Sequence, residues 1–365
     1  MKFPPLLFDS SLLALVFALA LPPLTAGAAP GDDPLAEDRA ALQALPGATS
    51  VLMQRGGRVV AELYARGADA TTLHDTRSAG KSVTAMLVAA AVQDGLLARD
   101  TPVFAAFADQ RPIAHDTPAK QAITVEDLLT MSSMLDCDDN QDASPGNEEN
   151  MYPQPRWLRW AVDLPTRDIQ RDIQRDAEGR GPWAYCTAGT FLLGQLLERR
   201  VPGGLEAWAQ RRLFEPLGIA RWQWHRSPAG ETMTGGGLRL RTRDWATLMQ
   251  ALLQRGRWQG HSVLAPAEVD ALLTVRRTTP FGLDYGELFW RRDYELSCGR
   301  VSGWMMSGNG GNHIVMLPAL DAVGALTRTH YNQRGMHQQS WAFTTALLER
   351  HVCAADSLPS AATPG

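Results

Sequence analysis

Apolar and β-branched residues run from Thr49 to Gln54 and again from Arg58 to Ala65, separated by Arg55-Gly56-Gly57. This pattern predicts a β-hairpin closed by a glycine turn. A short run Leu73 to Arg77 leads into Ser78. From Ser78 to Leu97 the chain is rich in Ala, Val, Leu and Met with almost no polar face, and Gly95 supplies a stop signal. A helix apolar all round is buried at the centre of a fold. Thr124 caps an amphipathic helix expected to run to Met134. Asp136 to Arg156 is a polar loop, too long to be mere connection. Helices are predicted over 187–200, 205–217 and from Thr242 to about Arg255. A turn at Gly235-Gly236-Gly237 leads into a short extended piece. The repeated Arg-Asp-Ile-Gln of 167–174 reads as an exposed helical insert. Strands with glycine turns fill 285–328, and an amphipathic helix closes the chain over 339–352. Strands at both ends and helices between them predict an α+β fold: one mixed domain over 29–352, with a helical subdomain inserted over roughly 98–235. Residues 353–365 read as a disordered tail.

The 365 residues suffice for a large core. The net charge of −4 offers no polyanion surface, which argues against nucleic-acid partners. Residues 1–28 resemble a secretory leader: Lys2, an apolar stretch from Leu12 to Leu21, and a small-x-small site at Ala26-Gly27-Ala28. Asp9 departs from that pattern. Pro22-Pro23 break the apolar run before it could span a bilayer. No cysteine lies near the cleavage site to carry a lipid anchor. The expectation is a secreted or periplasmic, soluble protein. In an oxidising compartment Cys137, Cys186, Cys298 and Cys353 can pair in three ways, or remain buried thiols. Their spacing gives no zinc signature, so no metal or cofactor is expected.

Candidate chemistry centres on a scarcity. Of 35 basic residues only Lys2, Lys81 and Lys120 are lysines. Arginine serves wherever a permanent charge suffices. A retained lysine points to an amine that must give up its proton. Lys81 follows Ser78 by three positions, so both side chains share one helix face. The helix start also offers free N–H groups to a developing oxyanion. With 16 serines and three lysines, Ser-x-x-Lys would arise by chance about 0.13 times in this chain.

Two further segments complete a pattern: Trp183-Ala184-Tyr185-Cys186-Thr187-Ala188-Gly189, and Ser307-Gly308-Asn309-Gly310-Gly311-Asn312. From about Thr49 to Val352 the chain resembles the serine β-lactamase and penicillin-binding-protein superfamily. It looks most like the branch of class C-like hydrolases and esterases that includes oligoamide hydrolases. Leu128 to Ser133, Leu213 to Ile219 and Gly235 to Leu238 are further phrases of that superfamily. The resemblance implies an antiparallel sheet flanked by helices. It also implies Ser78 as the acylated nucleophile, Lys81 as its base, and Tyr185 as a proton relay, in part as phenolate. The N–H groups of Ser78 and Asn312 would form the oxyanion hole. Thr187, Asn309, Gly310, Gly311 and Trp304 would contact substrate, with Trp290 as a second candidate for apolar lining.

Two departures from the family pattern stand out. Thr187 replaces a frequent Asn. Asn309-Gly310-Gly311 replaces Lys-Thr-Gly, removing the cation that binds a penicillin carboxylate. The expectation is therefore a small or peptide-like ester or amide substrate. The alternatives are a β-lactamase or D-alanyl-D-alanine peptidase, and a non-catalytic binding protein on the same fold. Glu148 or Glu149 could serve as a deacylating base, and His330 and His337 could line the cleft. Each also has a bland reading as a solvated loop or structural residue. A Cys137–Cys186 bridge would tether the polar loop beside Tyr185, leaving Cys298–Cys353 to tie the last helix to the sheet.

Overall fold

The computed structural model describes residues 33–167 and 181–354. The leader, most of the Arg-Asp-Ile-Gln repeat and nearly all of the tail lie outside the described residues. An eight-stranded antiparallel sheet forms the backbone of the fold. Its spatial order is 58–64, 48–55, 322–328, 312–317, 299–308, 290–296, 284–285, 277–278. The first hairpin thus pairs with the last strand, Val51 opposite Leu326. Both ends of the chain build one sheet, as the strand pattern predicts.

Both faces of the sheet are covered. On one face lie helices Ala36–Ala44 and Met336–Leu348. Leu42, Phe343 and Leu347 pack there against Val51, Val315 and Leu326. On the other lies the helix Gly80–Gln93, which buries every residue from Gly80 to Ala91. Beside it pack Thr242–Leu253 and the helical region around Thr187–Arg200. Gly95 takes φ +71°, the left-handed geometry a helix stop needs.

The helix capped by Thr124 departs from its expected length. Thr124 makes a full capping box with Asp127, but the helix is only Val125–Leu129. Met131 and Met134 have φ of +56° and +65°, which no helix tolerates. The tertiary reason is the segment beyond it. Met131 accepts the Ala184 N–H on its carbonyl and the Cys186 N–H on its sulfur. The chain leaves the helix early to support the residues around Tyr185. Similarly, the helix expected over 205–217 is a short helix, Leu205–Ala209, continued by one wider turn, Gln210–Phe214.

Candidate active site

Ser78 lies in the 3₁₀ turn Arg77–Ala79, immediately before the buried helix. The turn is forced into shape from several sides. Arg77 sits at φ +54°, unusual for a side chain of its size. Its N–H donates to Asp75 Oδ1 at 3.0 Å, and its guanidinium stacks 4.2 Å from the Tyr331 ring. Gly308 closes the other side: a Cβ there would stand 1.9 Å from the Thr76 carbonyl oxygen. Gly236 packs below, where a Cβ would meet the Arg77 carbonyl oxygen at 3.3 Å. The glycines of two distant motifs therefore let backbone approach the serine turn.

Lys81 is 1% exposed. Its Nζ donates to Ser78 Oγ at 3.0 Å and to the Gly235 carbonyl at 2.6 Å. The Tyr185 ring centroid lies 4.8 Å from the same nitrogen. Burial is the main cause pushing the Tyr185 phenol above its ordinary pKa. The Lys81 charge and the Ser78 hydroxyl pull it down; Glu148 and Asp139 push it further up. Burial and the two acids outweigh the lysine, so the resting phenol keeps its proton, against the part-phenolate reading.

A cleft of about 500 Å³ opens over Ser78. Glu148, Glu149 and Tyr152 line one side; Arg77, Arg239 and Asn309 line another. Both arginines reach Asp75 only at 3.8 Å. Behind Tyr185 stands an aromatic wall: Trp183, Tyr285, Trp290 and Phe281, with ring centroids 4.8 to 6.4 Å apart. Trp290 joins that wall, 5.9 Å from Tyr185.

Other expected site residues lie elsewhere. Asn312 is fully buried in the ladder opposite Gly308. Its side-chain amide donates to the Asn309 and Arg328 carbonyls at 2.7 and 3.0 Å. It braces the turn from behind and does not line the cleft; Asn309 does. Gly310 and Gly311 take φ of +90° and +79°; a Cβ on Gly310 would strike the Tyr331 ring, and one on Gly311 would strike Ser340 of the last helix. Trp304 packs into the core. Thr187 is fully buried at the start of its helix. His330 sits against Gly47. His337 stacks on buried His313 with a 3.0 Å contact, and burial lowers its pKa to about 4. Cys137–Cys186 and Cys298–Cys353 are disulfide-bonded.

Comparison with known proteins decides the family. Residues 33–342 match the family model Beta-lactamase. The chain belongs to the beta-lactamase family. Its fold is the β-lactamase/transpeptidase-like arrangement of an antiparallel sheet with helices, and its family is one of serine hydrolases. A 6-aminohexanoate-dimer hydrolase of Paenarthrobacter ureafaciens is 24% identical over 234 residues, 61% of this chain. The match spans 56% of that relative's length. A Bacillus anthracis structure provisionally named a 6-aminohexanoate-dimer hydrolase superposes with a TM-score of 0.68 at 13% identity, covering 89% of this chain and 82% of its own. EstCE1, a hydrolase with promiscuous acyltransferase activity, superposes with a TM-score of 0.63 at 14% identity, covering 85% and 96%.

Sequence reasoning missed Asp139, Arg77 and Arg239. Asp139 is one acid among many in a polar loop, and nothing local distinguishes it. Arg77 adjoins Ser78, and that adjacency was an available signal.

Proposed function

We propose that this β-lactamase-family chain is an exported serine hydrolase that cleaves an ester or amide through an acyl-enzyme on Ser78. The observation that carries the reading is the 3.0 Å contact between Lys81 Nζ and Ser78 Oγ at the start of a buried helix, with Tyr185 against the same nitrogen. Ser78 Oγ attacks the substrate carbonyl carbon as its proton passes to the Lys81 amine. The carbonyl oxygen becomes an oxyanion held by the N–H groups of Ser78 and Asn309. Both residues line the cleft, and among the described residues neither N–H makes a hydrogen bond. A donor of this kind is worth about 3 kcal/mol. The tetrahedral species collapses, the leaving alcohol or amine takes the proton through Lys81 and the Tyr185 phenol, and water then releases the acid. Two disulfides, a leader-like N-terminal sequence and the lack of any membrane-length apolar helix among the described residues support export.

A second reading, hydrolysis of a β-lactam or D-alanyl peptide, draws on Arg77 and Arg239. They return to the cleft the positive charge that Asn309 removes. A panel of p-nitrophenyl esters, β-lactams, D-amino peptides and linear amides, run with wild type and Ser78→Ala, decides between the two. Ester or linear-amide turnover that Ser78→Ala abolishes is the expected outcome. Nitrocefin turnover exceeding every ester would favour the second reading, and activity surviving in Ser78→Ala would end both.

A further inference from the structure

We propose that Asp139 is a positioning residue for Tyr185, holding the segment Tyr185-Cys186-Thr187 to the cleft-lining loop through its ionised carboxylate. The inference rests on the acyl-enzyme reading above. Asp139 touches this segment on both sides of Cys186. Its backbone N–H donates to the Tyr185 carbonyl at 2.8 Å, and its Oδ2 accepts the Thr187 N–H at 2.8 Å. Thr187 opens the helix Thr187–Arg200, so that N–H belongs to a positive helix end. The other carboxylate oxygen, Oδ1, accepts the Glu148 N–H at 2.9 Å. One carboxylate thus joins the tyrosine segment to the turn that carries Glu148 and Glu149 into the cleft. The Cys137–Cys186 bond fastens the same two pieces from beside it.

Both oxygens accept, an arrangement the ionised form serves best; a proton on either oxygen weakens it as an acceptor. The groups that act on this carboxyl are Glu148 in its own loop, Lys81 on the central helix, and the Thr187 N–H. Its charge in turn acts on the phenols of Tyr185 and Tyr152. Burial, then Glu148, push Asp139 up to about 6, against the pull of Lys81 and Thr187. The ionised form that positions Tyr185 is therefore the form the fold disfavours. Stability linked to Asp139 is present at low pH and is lost as pH rises from about 4 through about 6. Activity follows the opposite course and grows as the carboxylate forms.

Asp139→Asn is tested beside wild type by fluorophosphonate labelling of Ser78, ester kcat and KM across pH 4 to 9, and thermal melting. Labelling rate and kcat should fall roughly tenfold to a hundredfold with KM little changed, as small misplacements of catalytic groups do. The acid limb near the Asp139 pKa should vanish, while the melting temperature at pH 8 holds or rises. A variant labelled as fast as wild type, with the acid limb intact, overturns the positioning role alone. So does lost activity accompanied by a lowered melting temperature and an unmoved acid limb. Wild type that does not label at Ser78 overturns the hydrolase reading itself, and the positioning role with it.

Discussion

Lys81 is buried among few charges, with its amine shared between Ser78 Oγ and the Gly235 carbonyl. A permanent cation could keep both contacts but could not take the serine proton. Lys81→Arg should therefore cost nearly as much as Lys81→Ala, roughly 10²- to 10⁴-fold in kcat on a p-nitrophenyl ester. An arginine variant near the wild-type rate would show that charge alone is needed. Tyr185 plays a different part. Burial, with Glu148 and Asp139 nearby, raises its phenol, so in the proposed mechanism it relays a proton and does not act as the base.

At the scale of elements, the site exists because glycines let three segments meet. Gly308 ends the strand 299–308 against the serine turn, where a Cβ would overlap the Thr76 carbonyl oxygen. Gly235 supports Lys81 and leaves no room beside Thr187, whose Cγ2 a Cβ would meet at 2.6 Å. Gly308→Ala should force the strand away from Ser78 and remove the Asn309 N–H from its place. We expect a loss of about 1–3 kcal/mol in stability, with an activity loss beyond what the unfolded fraction explains. Denaturant unfolding and ester kinetics on the same samples check this. Wild-type kcat in a folded Gly308→Ala variant would mean that strand contact with the turn is not required.

For the whole molecule, the two disulfides fasten different regions. They close loops of 49 and 55 residues, and each stabilises by about 4 kcal/mol in the chain-entropy account. Cys137–Cys186 ties the cleft loop to the segment of Tyr185. Cys298–Cys353 ties the sheet to the wide turn Glu349–Cys353 after the last helix, beside Leu348 and Val352. The double variant Cys298→Ser/Cys353→Ser should lower the melting temperature and leave kcat unchanged. The double variant Cys137→Ser/Cys186→Ser should lower both. Equal kcat in the two variants would separate the cleft loop from catalysis.

Much of this architecture is legible in the amino-acid sequence. The hairpin of 48–64, the buried helix after Ser78 and the helix Thr187–Arg200 all carry their signals within their own residues. The short helix after Thr124 differs from its expected length because its cap and first turn are ordinary. Its end is set by Ala184 and Cys186, more than fifty residues away. Asn312 stands behind the turn for a related reason. A glycine turn of Ser307 to Asn312 can face Ser78 with several of its N–H groups, and only strand register selects one. Pairing Gly308 with Asn312 leaves Asn309 at the cleft.

The sequence by itself determined that Ser78, in the turn that opens a buried helix, stands beside Lys81 in that helix's first turn, because helix spacing and apolar periodicity are local properties. It also indicated that the strands gather at the two ends of the chain. Only the tertiary structure decided what surrounds that pair: Tyr185 against Lys81, Asn309 at the cleft with Asn312 buried behind it, Asp139 bridging Tyr185 to Glu148, and Arg77 with Arg239 at the rim. Each of these depends on register, loop return and burial. Those follow from how the whole chain packs, and no short stretch of residues carries them.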